Sequence, residues 1–90
     1  MAELRETMDR HAGDVVSGNM AGIMGDFTPN AMAKVMGLAA NPITATQFEI
    51  KELPNDEAEI TYIGNQRRTI WSKWINSGEK WQIDDLAERP

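Results

Sequence analysis

Apolar positions in the first 42 residues recur at intervals of three and four, the repeat of one helix face. Leu4, Met8 and His11 share such a face in a helix expected over Ala2 to about His11, with Gly13-Asp14 as its break. Asp14 is suited to cap a second segment, Val15 to about Gly25, whose stripe is Val16, Met20, Ile23 and Phe27. Thr28 as cap and Pro29 at the first helical position start a third helix. It runs to about Ala39 with Met32, Val35, Met36 and Ala39 inward, and Asn41-Pro42 ends it.

Beyond residue 42 the period changes from helical to two. Strands are expected over 43–53, 57–63, 66–76 and 80–87, separated by Pro54-Asn55-Asp56, Gly64-Asn65 and Asn76-Ser77-Gly78-Glu79. The second strand sets Ala58, Ile60 and Tyr62 on one face and Glu57, Glu59 and Thr61 on the other. Connections this short imply an antiparallel meander. Residue types divide at the same point: all six Met precede residue 42, whereas the three Trp and the single Tyr follow it. Met favours helix, and aromatic and β-branched residues favour strand. The fold class is therefore α+β, two to three N-terminal helices packed on a curved four-stranded antiparallel meander. Ile70, Trp71, Trp74 and Ile75 also suit a helical stripe; their residue types and the flanking turns decide for strand.

The third strand carries large apolar groups on both faces. Ile70, Ser72 and Trp74 share one, which the helices can cover; Trp71, Lys73 and Ile75 share the other. Tryptophan buries much area for little entropy, so Trp71, Lys73 and Ile75 are candidate interface residues of a homodimer formed through the sheet. Strand curvature that tucks both Trp side chains into one core is the alternative.

Composition narrows the function. Ninety residues and 10.1 kDa suit a single domain over 1–90, with only about 5–10 kcal/mol of net stability, so an additional interface would help it. A net charge of −5 gives no electrostatic footprint for nucleic acid or an anionic membrane. The absence of cysteine excludes disulfides, thiolate nucleophiles and Cys-type metal sites. No apolar run approaches the roughly 18 residues that span a bilayer, and MAELRETMDR lacks a signal-peptide core. A cytoplasmic domain without cofactor or metal is expected.

Three stretches carry a family resemblance: Ala12-Gly13-Asp14, Asp26-Phe27-Thr28-Pro29, and Trp71-Ser72-Lys73-Trp74-Ile75-Asn76-Ser77-Gly78-Glu79-Lys80-Trp81-Gln82-Ile83. In this order the chain resembles the SnoaL-like members of the nuclear-transport-factor-2-like superfamily, whose cystatin-like α+β cone encloses a pocket. The resemblance implies sheet-paired dimers and, in the enzymes, isomerase, cyclase, dehydratase or epoxide hydrolase chemistry. The chain departs from the pattern in running from Phe27 straight into Thr28-Pro29, without the usual hairpin between the second and third helices. A smaller or more open pocket is expected.

Few side chains are available for chemistry. His11, the only histidine, is a candidate general base; the competing reading is a partly exposed residue at a helix end. Tyr62 is a candidate inward hydroxyl that could polarise a carbonyl. Asp26 is a candidate pocket carboxylate or, alternatively, a turn residue. Asp14 is read first as a cap. A ligand pocket would draw on Met20, Met24, Met36, Tyr62 and Trp74, although a Met stripe is more commonly core. Asp84-Asp85 and Arg67-Arg68, adjacent on strands, point to opposite faces and form no pair. The leading functional reading is a homodimeric SnoaL-like domain holding a small apolar ligand. An acid–base enzyme on a small hydrophobic substrate and a protein-interaction module using the Trp-bearing sheet face are the alternatives.

Overall fold

The computed structural model describes residues 3–38 and 40–89. Three helices, α1 (Leu4–Ser17), α2 (Met20–Met24) and α3 (Pro29–Leu38), precede four strands: β1 (Gln47–Leu53), β2 (Glu57–Ile63), β3 (Arg67–Asn76) and β4 (Trp81–Arg89). The strands form one antiparallel sheet in the order β1-β2-β3-β4, a meander as the short turns require. The segment with two readings, Ile70 to Ile75, is strand.

The helical boundaries differ from expectation. The first helix continues through Gly13-Asp14, because Ala12 and the half-buried Val15 and Val16 keep its apolar face against the core. An Arg10–Asp14 pair at i, i+4 bridges the expected break. The helix stops at Gly18, whose φ of 75° is the left-handed cap that glycine adopts without strain. The second helix shrinks to α2, capped by Asn19, whose Oδ1 accepts from the Gly22 N–H at 3.3 Å. Thr28 does cap α3, its Oγ1 accepting from the Ala31 N–H at 3.3 Å. Residues 43–46 precede β1 as loop, and β4 extends to Arg89. Ala2 and Ala39 lie outside the described residues.

The core lies between the helices and the inner sheet face. Ala58, Ile60 and Tyr62 of β2 are buried, joined by Ile70 and Trp74 of β3, Ile83 and Leu86 of β4, and Met8 and Ala12 of α1. Ile60 stands opposite Ile70, and Trp74 opposite Ile83. Ile83 and Leu86 are three positions apart, an odd spacing, yet both face inward. A bulge explains this: Lys73 pairs with Asp85 and Trp74 with Ile83, which leaves Asp84 unmatched. The same bulge overturns the opposite-face expectation for Asp84-Asp85. Asp84 accepts from Thr28 Oγ1 at 2.8 Å and Asp85 pairs with Lys34, so both carboxylates fasten α3 to the sheet.

Arg67-Arg68 divides as expected, with Arg67 exposed on one face and Arg68 buried on the other. Arg68 is buried and bidentate to Glu88, at 2.8 and 2.7 Å, and its third nitrogen donates to the Asn41 carbonyl at 2.6 Å. That clamp ties the connection between α3 and β1 to β3 and β4.

Candidate functional site

An apolar cavity of about 460 Å3 lies between the helices and the sheet. Every helix and three of the strands contribute to its wall, through residues that include Val15, Met24, Val35, Ile60, Ile70 and Leu86. Met20 and Met24 line it while remaining 60% and 47% exposed, so they stand at its mouth. No residue of α2 is buried. Gly22 allows this short helix to lie against α1, since a Cβ there would fall 2.5 Å from Asp14 Oδ2.

Two polar side chains in the wall stand out, and both were candidates from sequence. His11 is only 4% exposed and sits in the middle of α1, not at a frayed helix end. The longer helix corrects that expectation. Its Nδ1 lies 2.7 Å from Asp26 Oδ2. The ring packs edge-on against Phe27 and Trp74, with centroids 5.6 Å away in each case. Tyr62 is 3% exposed, and burial pushes its hydroxyl pKa well above the ordinary value, so it remains a donor at neutral pH.

Asp26 is a turn residue and also a buried carboxylate held from three sides. Its carbonyl accepts from Ile83 N–H at 2.7 Å while Thr28 N–H donates to Ile83 O at 2.9 Å, pinning the loop to β4. Its side chain joins His11 to Arg10, which in turn reaches Asp14 at 2.7 Å. Burial alone would raise the Asp26 carboxyl; the bonds from His11 and Arg10 outweigh it and hold the group below the usual carboxylate range. Arg10 is the member of this cluster that sequence reading missed. Its signal is the i, i+4 spacing to Asp14, which counts only where one helix runs through Gly13.

Asp26 is thus ionised at neutral pH and can only accept. The proton it receives is carried by His11 Nδ1, and in the neutral ring Nε2 is left with a lone pair. Neither Nε2 nor the Tyr62 hydroxyl has a hydrogen-bond partner among the described residues. No side-chain nitrogen or oxygen there is both sealed off and unpaired. Both residues line the cavity, and neither of these atoms is sealed off. Such an imidazole, oriented through its far nitrogen, is arranged as a general base.

The remaining candidates fall elsewhere. Trp74 is 1% exposed and lies behind His11, its Nε1 donating to Ser72 Oγ at 2.9 Å. Met36 is 69% exposed on α3 and does not line the cavity. Met8 alone of the described methionines is buried, so the Met stripe is mostly not core. Trp71, Lys73 and Ile75 stand half-buried on the outer face. The Trp71 indole donates to Glu57 at 2.8 Å and is covered by Arg89, 5.2 Å from the ring centre. A second hollow on that face, about 390 Å3, has polar walls whose groups engage one another, Thr61 with Thr69 at 2.9 Å and Glu59 with Arg89 at 3.8 Å.

Among the described residues no helix is long and apolar enough to cross a membrane, and no three acidic or histidine side chains converge as for a metal ion. The chain matches no family model, no curated protein and no solved structure.

Proposed function

We propose that the chain is a small SnoaL-like binding domain that takes an apolar molecule into the cavity between its helices and sheet. The observation that carries this is the cavity itself: about 460 Å3, apolar on nearly all sides, with two buried polar groups free to orient an occupant. A core of this size would ordinarily close around such a space, since unfilled volume destabilises. The exposed Met20 and Met24 at the mouth supply an adaptable rim, because methionine repacks readily around different shapes.

A second reading, acid–base catalysis on a small hydrophobic substrate, is favoured by the His11–Asp26 pair. In that reading Nε2 removes a proton from the substrate, Asp26 stabilises the imidazolium that forms, and the Tyr62 hydroxyl donates to the oxygen where charge develops.

Binding is tested by thermal unfolding in the presence of naphthalene, which offers apolar surface and no polar group. A ligand that binds only the folded state raises the midpoint. At tenfold excess over its dissociation constant the rise is about 1.4 kcal/mol, several degrees for a domain of this size. An unchanged midpoint across naphthalene and its alkyl-substituted relatives would contradict the proposal.

A further inference from the structure

The cavity's polar groups select among apolar ligands, an inference that rests on the binding reading above. Tyr62 offers a donor and, in the neutral ring, His11 Nε2 offers an acceptor. Both residues are more than nine-tenths buried, and neither group has a partner among the described residues. A buried hydroxyl left without a bond costs roughly 1–3 kcal/mol, so an occupant that satisfies it is preferred over one that does not. We propose that the ligand is an uncharged hydroxyl compound, an alcohol or phenol on an apolar frame, whose oxygen accepts from Tyr62 or whose O–H donates to His11.

Charge argues the same way. Among the described residues no Lys or Arg lines the cavity, and behind the imidazole stands the Asp26 carboxylate. A ligand carboxylate would enter without a cation to meet it and would face a like charge, the arrangement that desolvation penalises most. A bare hydrocarbon would enter but leave the Tyr62 hydroxyl and His11 unanswered. A single hydroxyl is the smallest group that can both donate and accept.

Isothermal titration of the wild-type protein with naphthol, naphthalene and naphthoate separates these cases on one ring system. Naphthol is expected to bind about tenfold more tightly than naphthalene, the ratio that one net hydrogen bond supplies, and naphthoate most weakly. Tyr62→Phe should reduce naphthol toward the naphthalene value and leave naphthalene within about twofold. Equal binding of naphthol and naphthalene to the wild type would overturn the inference while the binding reading stands. Tightest binding by naphthoate would overturn it too, since that result requires a cationic ring in the cavity. If none of the three binds, the binding reading fails and takes this inference with it. The wild-type ratio decides the matter even if the Tyr62 variant folds poorly.

Discussion

Trp74→Ala should lower the thermal midpoint steeply. The side chain is 1% exposed, spans the core between β3 and His11, and donates its indole N–H to Ser72. Removing a buried aromatic side chain costs about 3–5 kcal/mol, the lost transfer energy plus the cavity left behind. A 90-residue domain has only about 5–10 kcal/mol in total. Each kilocalorie lowers the midpoint by about 4–8 °C in a chain this small, so the expected fall is at least 12 °C. Trp74→Phe keeps most of the volume and should cost clearly less. Thermal melts by circular dichroism measure both; equal losses would show that the indole N–H bond, not the volume, is what matters.

Asp26→Asn should destabilise by about 1.5–3 kcal/mol at neutral pH, because hydrogen bonds to a charged group are the stronger kind and this residue makes two. Its pH dependence is the sharper signature. The Asp26 carboxyl has a lower pKa folded than unfolded, so its contribution is present above the unfolded value of about 4 and is lost as pH falls through the folded one. The difference between wild type and Asp26→Asn should therefore be largest at pH 6 and shrink toward pH 3. Asp85 and Glu88 are also held low, by Lys34 and Arg68, but they act equally in both proteins and cancel in the difference. A difference that stays constant down to pH 3 would mean that Asp26 contributes shape and not charge.

The sheet was legible in the sequence because its signals are local. Alternation in Glu57–Ile63 and the turn at Pro54-Asn55-Asp56 need only neighbouring residues, and β2 has the expected bounds. The helices were less so. Gly13-Asp14 carries strong break and cap propensities, yet tertiary packing of Ala12, Val15 and Val16 overrides them, and the turn comes at Gly18. His11 and Asp26 were singled out for their chemistry alone. That they bond depends on a loop pinned to β4, 56 and more residues away in sequence, which no pattern within α1 encodes. The bulge at Asp84 was invisible for the same reason: it is a property of pairing between two strands, not of either one. On the outer face, the apolar Trp71 suggested a partner copy; within the chain its indole N–H is bonded to Glu57 and Arg89 lies over its ring.

On the proposed reading, the space beneath the helices is a binding site. The direct measurement is the set of nuclear Overhauser contacts between naphthalene protons and the protein's methyl groups at saturation. Contacts with Ile60, Ile70 and Ile83, and with the Met24 methyl at the mouth, are the predicted result. Contacts with Thr61 and Thr69 instead would place the ligand in the outer hollow and contradict it.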